Sequence, residues 1–292
     1  MKTTSFLLLG CLVLGSAHAA PGPAGEHRHG GSPAAGSWTS QPLLLPLAGG
    51  RAERGAALLQ PQGIAAPTLS VFAPSGSAEE RRRDYSIDAG RVRIAPASPQ
   101  IGNYHWLVMR EETPELVKVA STAWFFSNPG PVPTAMLAEP KHELEIVPEP
   151  LPREHGSYRE SEKWRFLLRL NGQPLAYQLL SMETEFGSRL RFVSDAAGFA
   201  TVLFPRDFRP AGPAPEGAAD GHRRPSAGFV LTTEADFAGR HYLTAFNLTY
   251  GPDADRERSL GWGAAFGLLG MLAATPLLRR RVPANDGESA DV

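Results

Sequence analysis

A series of short β-rich segments, separated by turn residues, runs from Thr68 to Tyr250 and constrains the fold more than any other feature of the chain. Segments such as RVRIAP and HELEIVP alternate apolar and polar residues, as half-buried strands do. The pair Asn171-Gly172 has the composition of a tight reversal between two strands. No stretch before the C-terminal tail carries a convincing helical period. The sequence therefore predicts an all-β sandwich fold.

The first twenty residues have the pattern of an export signal. Lys2 supplies a positive charge, Phe6–Leu14 forms an apolar core too short to span a bilayer, and the segment AHA at 17–19 offers small residues for cleavage. We therefore expect a signal peptide over residues 1–20 and a periplasmic mature chain. Cys11, the only cysteine, lies in this segment, so the mature chain is expected to contain no disulfide and no thiol.

The C-terminal region contains an uncharged apolar stretch, Leu260–Leu278, which is followed at once by three arginines at 279–281. A helix of this length extends about 28 Å at about 1.5 Å per residue, which is close to the thickness of the hydrocarbon core. The arginines favour a cytoplasmic C-terminus. The sequence thus predicts one transmembrane helix at 260–278, which anchors the chain in the inner membrane, and a cytoplasmic tail at 279–292. A sorting signal and a buried core helix are the alternatives.

Composition divides the region between the two ends. Residues 21–67 are rich in proline, glycine and alanine and are predicted to be a low-complexity linker. The strand-like segments then form two groups, which we interpret as a first β module at 68–147 and a second β module at 148–250. A short linker at 251–259 precedes the tail. No internal repeat decides between two modules and one extended sandwich.

Several segments in order resemble one family. They are GNYHWLVMRE, FFSNPGPVPTAML, LEIVPEPLPREHGSYRESEKWRFLLRLNGQPLA and RFVSDAAGFATVLFP. Together they are similar to periplasmic proteins of unknown function associated with nickel or cobalt uptake, and the similarity spans about residues 103–250. The residues that fit the family pattern are Leu144–Pro148, Phe166, Leu168, Asn171–Ala176 and Asp195–Pro205.

The resemblance carries expectations about fold and function. It implies an Ig-like, transthyretin-like sandwich for residues 148–250. It also implies an exported, non-catalytic protein that binds or delivers a transition metal, nickel or cobalt. A metal transporter or an outer-membrane receptor is then the expected protein partner. The resemblance supplies no set of proven ligands.

Histidines are the natural ligands for such a metal here, because the mature chain has no thiolate and nickel or cobalt accepts imidazole and carboxylate. His27 and His29 form an H-x-H pair, whose imidazoles lie on the same side of an extended chain. His105 is expected in a strand, on the face opposite its two aromatic neighbours. The candidate metal ligands are His27, His29, His105, His142, His155 and His241. Each is also explained as an ordinary tail, core, surface or loop residue.

Other function classes find little support in the sequence. No G-x-S-x-G elbow, phosphate-binding glycine loop or H-E-x-x-H motif is present, so we assign no catalytic residue and expect no enzyme activity. A net charge of −1 gives no reason to expect a nucleic acid partner. The competing hypothesis is an Ig-like scaffold that docks on a transporter or receptor without metal. Histidines close together in space would favour metal binding, and dispersed histidines would favour docking.

Overall fold

The computed structural model describes residues 38–47, 55–96, 98–127, 130–152, 157–209, 225–253 and 260–278. Its helices are α1 (Ala78–Arg81), α2 (Thr134–Ala138) and α3 (Leu260–Leu278). Its strands are β1 (Leu43–Pro46), β2 (Ala57–Gln62), β3 (Thr68–Phe72), β4 (Arg82–Ser86), β5 (Val92–Ile94), β6 (Asn103–Glu112), β7 (Leu116–Phe126), β8 (Leu144–Glu149), β9 (Tyr158–Arg159), β10 (Lys163–Leu170), β11 (Gln173–Pro174), β12 (Leu179–Thr184), β13 (Arg189–Val193), β14 (Phe199–Leu203), β15 (Ala227–Phe237) and β16 (Arg240–Gly251). The all-β prediction is confirmed.

The largest sheet has the strand order β13-β12-β15-β16-β7-β6-β3-β4, with β9 beside the end of β16. Its strands pair antiparallel except at β16, which runs parallel to β7 and to β9. The sheet takes strands both from residues 68–147 and from residues 148–250. The predicted boundary between two β modules therefore does not separate two domains, and the structure corresponds to the alternative of one extended sandwich.

A second sheet covers one face of the large sheet. Its central strand β10 pairs with β8 on one side and with β11 and β14 on the other. Phe166 of β10 is fully buried, and its ring centroid lies 6.1 Å from that of Phe246 in the large sheet. Trp106 stacks on the same Phe246 at 5.2 Å. Because burial contributes about 25 cal/mol per Å² of apolar surface, this aromatic interior is a main source of stability.

A third, small sheet of β1, β2 and β5 covers the opposite face of the large sheet. Leu44 and Leu59 are fully buried in a cluster that also contains Leu107 of β6. The side chain of Asn247 accepts a hydrogen bond from the Leu44 N–H at 2.9 Å and donates one to its carbonyl at 3.0 Å. Strands β1 and β2 lie inside the predicted linker at 21–67. That prediction requires correction, because these leucines are part of the core.

Helix α3 has the bounds expected from the sequence, Leu260–Leu278. Among the described residues, however, no helix is both long enough and apolar enough to cross a membrane. The transmembrane helix predicted at 260–278 is accordingly not found among the residues that the structure describes. The predicted signal peptide at 1–20 and the cytoplasmic tail at 279–292 lie outside the described residues.

Candidate functional site

His105 lies in the interior of the protein, on strand β6. Its side chain points away from the cluster that contains Tyr104 and Trp106, as expected, and makes an edge-on contact with the Phe126 ring at 4.7 Å. Its Nδ1 lies 3.2 Å from the carbonyl of Asn103, and its buried Nε2 has no hydrogen-bond partner in the part of the chain that the structure describes. Burial lowers the pKa of His105. The surroundings are those of a core residue.

His241 lies at the exposed start of β16. Its Nδ1 is 2.9 Å from a carboxylate oxygen of Asp236, and its Nε2 is 3.5 Å from one of Glu234. Strand β7 lies between β16 and β6. His241 of β16 pairs with Leu116 of β7, and His105 of β6 pairs with Trp124 of β7. Leu116 and Trp124 are eight residues apart along β7, which corresponds to about 26 Å of extended strand. The two histidines therefore cannot share a metal ion.

His142 is buried just before strand β8, with 3% of its side chain exposed. His142 and Val108 line the same cavity. The side chain of Val108 lies on the face of β6 that carries Trp106, and His105 lies on the opposite face. The Nε2 atom of His142 lies 4.0 Å from Oε1 of Glu145, and its buried Nδ1 has no hydrogen-bond partner among the described residues. Burial lowers the pKa of His142 to about 4. A neutral imidazole is therefore the stable form at pH 7.

The predicted metal ligands do not converge where the structure describes them. His105, His142 and His241 occupy three separate places. His27, His29 and His155 lie outside the described residues. Within those residues, no three or more side chains of histidine, cysteine, aspartate or glutamate form a group that could hold a metal ion.

A buried ionic network lies next to His142. Nε of Arg169 donates to Oε2 of Glu145 at 2.6 Å, and both side chains are almost completely buried. Arg169 also donates to three carbonyls at residues 137–139, at the end of α2. The other oxygen of Glu145 accepts a hydrogen bond from the backbone N–H of Lys141 at 3.0 Å. These bonds satisfy the last carbonyls of a one-turn helix and fix the entry to β8.

Lys141 completes this network. Its ammonium donates to the carbonyls of Met136 at 2.5 Å and Glu139 at 2.6 Å, and it lies 5.6 Å from the centre of the Phe72 ring. Burial lowers the pKa of Lys141 to about 8, although the charge of Glu145 opposes this shift. The carbonyls occupy two of the three ammonium donors, which leaves one N–H for another acceptor.

A cavity of about 200 Å³ opens beside Lys141 and His142, and we call it the His142 cavity. The polar residues that line it are Thr68, Ser70, Arg82, Arg110, Lys141 and His142. No carboxylate is among the described residues that line the cavity. The sequence analysis identified His142 as a candidate but missed its cationic neighbours. The charge-rich segment KHELE was the one local sequence feature that pointed to cationic side chains near His142.

A second surface of interest lies at one edge of the large sheet. Within the described chain, β13 pairs only with β12, so its other edge is open. Leu179 and Val193 stand opposite each other on these strands and are 45% and 57% exposed, and nearby Tyr177 is 75% exposed. Arg189 and Arg191 are exposed on the same side of β13 as Val193. We call these five residues the β13 edge surface.

Comparison with known proteins adds little. No family model and no curated protein matches the chain. A structure reported for host cell surface retention of a 1.5-MDa bacterial ice-binding adhesin is 11% identical over 74% of this chain, with a TM-score of 0.23. A BSP domain of a biofilm associated protein is 12% identical over 69% of this chain, with a TM-score of 0.19. The alignments cover 65% and 28% of those chains, and scores this low support no functional argument.

Proposed function

We propose that this chain is an exported, non-catalytic, Ig-like β-sandwich scaffold that docks on a protein partner. The β13 edge surface is the observation that carries the proposal. An open strand edge offers unpaired backbone groups to an extended segment of a partner, and exposed apolar side chains beside it add contact area. Native sheets usually protect such edges, so Leu179 and Val193 beside an open edge are typical of a binding surface.

Charge suggests the chemistry of the partner segment. Arg189 stands opposite Glu183 of β12, whereas Arg191 stands opposite Ser181. No ion pair of Arg191 occurs among the described residues. An extended partner segment with an acidic residue near Arg191 and an apolar residue near Val193 would complement this edge. A metal transporter or an outer-membrane receptor, the partners expected from the family resemblance, would supply that segment.

The dispersion of His105, His142 and His241 also supports docking over metal binding at these three residues. Export is supported by the composition of residues 1–20 alone. A scaffold outside the cytoplasm needs no resident cofactor for this function. Docking therefore explains the open edge with the fewest further assumptions.

Photo-crosslinking in cells tests the docking proposal. A photoreactive residue at Val193 of the full chain should form one discrete adduct, because the open edge contacts the partner. Leu203, 44% exposed on β14, provides a control of similar exposure on the other sheet. The adduct at Val193 should disappear with Arg191→Glu and should not form from Leu203. Equal labelling from both positions, or no adduct from Val193, contradicts docking at this edge.

A second candidate function, capture of nickel or cobalt for delivery, is supported by the H-x-H pair at His27 and His29. Titration of the full chain with Ni²⁺ and Co²⁺ tests it. Binding of one ion per chain that is lost in the double variant His27→Ala/His29→Ala, and kept in His241→Ala, would support capture by the N-terminal pair. Loss on His155→Ala instead would move the site to that loop residue. No binding of either ion rejects metal delivery.

A further inference from the structure

The hydrogen bonds between β12 and β13 show which backbone groups of β13 point to its open edge. The N–H of Ser194 donates to the carbonyl of Gln178 at 2.9 Å, just beyond the point where Val193 pairs with β12. At the other end of the ladder, the N–H of Thr184 donates to the carbonyl of Ser188 at 3.0 Å. In an antiparallel ladder, residues that exchange two backbone hydrogen bonds alternate with residues that exchange none. Both bonds place Val193 among the residues that exchange none with β12.

The same alternation extends along the whole of β13. Leu190 and Phe192 exchange backbone hydrogen bonds with β12, whereas the N–H and carbonyl groups of Arg189, Arg191 and Val193 point to the open edge. No other strand of the described chain pairs with that edge. These three residues are exposed, and Leu190 and Phe192 are half-buried against the sandwich core. Strand β13 therefore offers donor and acceptor groups at alternate residues to an incoming strand.

The side chains of β13 define the sequence that such a strand should have. Arg191 stands opposite Ser181 and has no ion pair among the described residues. Opposite charges on neighbouring strands stabilise a sheet, so the incoming residue that faces Arg191 should be acidic. The residues before and after it point to the side of Leu190 and Phe192, where apolar side chains would extend the core. The residue that faces Val193 should be apolar as well.

A second copy of this chain fits the edge poorly. In the fully overlapped antiparallel pairing of two β13 strands, Arg191 would face Arg191, and like charges directly opposite each other destabilise a sheet. Strand β4, at the other end of the large sheet, carries Arg82 and Arg83, so a head-to-tail assembly of copies would also bring arginines together. The charges of this edge therefore favour a different, acidic chain.

We propose that β13 adds an antiparallel strand from another protein, with the pattern apolar–apolar–acidic–apolar, in which the acidic residue faces Arg191. This inference rests on the docking function proposed above and specifies its partner segment. The backbone N–H and carbonyl of the acidic residue bond to the carbonyl and N–H of Arg191, and the first apolar residue faces Val193. The antiparallel direction is expected because it is slightly more stable per residue than the parallel one.

Titration of the full chain with the end-capped peptide Thr-Val-Ile-Asp-Val-Thr-Thr tests the proposal. One peptide should bind per chain. Hydrogen exchange of the backbone amides, read by NMR, should slow at Arg189, Arg191 and Val193 when the peptide is bound. Exchange should stay unchanged at Leu190 and Phe192, whose amides already bond to β12. Absence of binding, or equal slowing at all of these amides, overturns the proposal.

Modified peptides test the direction and register of the added strand. Methylation of the backbone nitrogen of Asp should abolish binding, because that N–H donates to the carbonyl of Arg191. Methylation of the next residue, Val, should be tolerated, since its N–H points away from β13. The peptide with the reversed sequence should bind more weakly. Equal loss on both methylations, or tighter binding of the reversed peptide, rejects the antiparallel register.

A charge exchange tests the role of Arg191. Arg191→Glu should weaken binding of the Asp peptide by about tenfold, because an attractive cross-strand pair becomes a repulsive one. The same variant should bind more tightly to a peptide with Lys in place of Asp. Arg83→Glu, an exposed arginine of β4 at the opposite edge of the sheet, is the matched control and should leave the affinity unchanged. Equal weakening by both variants, or no gain with the Lys peptide, rejects the role of Arg191.

The peptide and crosslinking experiments together separate strand addition from docking in general. If no peptide binds while the photoreactive residue at Val193 still forms its single adduct in cells, docking at this edge stands and strand addition is wrong. If the adduct is absent as well, docking at this edge is also wrong. Self-association of the full chain in sedimentation that disappears in Val193→Lys would identify a second copy as the occupant and overturn the proposal.

Discussion

Acidification should destabilise the fold through His142, because its imidazole is buried in a place that disfavours the charged form. Burial is the largest cause of its lowered pKa, the charge of Lys141 acts in the same direction, and Glu145 and Glu143 oppose it. The folded protein thus keeps His142 neutral down to about pH 4. The unfolded chain takes up a proton near the ordinary pKa of 6.5.

The sign and the size of the effect follow from this difference. Above about pH 6.5 both states hold a neutral imidazole, so the contribution to stability is fully present. As the pH falls from 6.5 towards 4, only the unfolded state binds the proton, and the free energy of unfolding decreases. A gap of about 2.5 pKa units corresponds to about 3 kcal/mol in total, of which about 2 kcal/mol is lost by pH 5.

Urea unfolding of the full chain at pH 7.5, 6, 5 and 4.5, followed by tryptophan fluorescence, measures this loss. The variant His142→Asn should show a shallower dependence on pH by about 2 kcal/mol between pH 7.5 and 5. Val202→Ala is the matched control, since Val202 is fully buried and uncharged. It should lower stability by a similar amount at every pH. His105, whose pKa is also lowered by burial, contributes to the dependence that remains in His142→Asn.

One result would refute the reasoning about His142. If His142→Asn folds and keeps the full pH dependence of the unmodified chain, then His142 is not held neutral by burial. If Val202→Ala flattens the dependence as much as His142→Asn does, the loss reflects general destabilisation rather than a lost titration.

Three further predictions concern stability and docking. Asn247→Ala should lower the free energy of unfolding by about 3 kcal/mol in urea, because the buried N–H and carbonyl of Leu44 both lose a partner. Glu145→Gln should cost about 3–5 kcal/mol in the same assay, because the buried charge of Arg169 loses its counterion. Val193→Lys should change thermal stability by less than about 0.5 kcal/mol but abolish partner capture by the chain; a partner retained at full affinity would contradict docking at this edge.

The sequence predicted the strand pattern well wherever one strand face is polar. The alternation of HELEIVP placed Leu144 and Ile146 on one face, and both are buried in the sandwich core. The same alternation placed Glu145 on the other face, where water would be expected. Glu145 is nevertheless buried, because Arg169 of the neighbouring strand supplies a counterion. A partner in another strand is invisible to a local pattern, so the burial of this carboxylate could not be predicted.

The small outer sheet was missed for a related physical reason. Residues around β1 and β2 are interrupted by proline and glycine and carry too few apolar residues to form a core by themselves. They fold because the large sheet offers them a second apolar face, with Leu107 and Met109 of β6 pointing outward. Asn247, 203 residues away in the chain, then binds the backbone of Leu44. Strands β1 and β2 are thus ordered by their tertiary contacts with the large sheet and not by their own sequence.

The placement of the histidines shows why the candidate site needed three-dimensional information. Whether His105 and His241 meet depends on the parallel register of β16 against β7, which a sequence of short strands does not specify. The segment Lys141-His142 resembles a solvated charged entry to a strand, and both its side chains are nonetheless largely buried. Burial there lowers the pKa of both side chains, which the local sequence does not indicate.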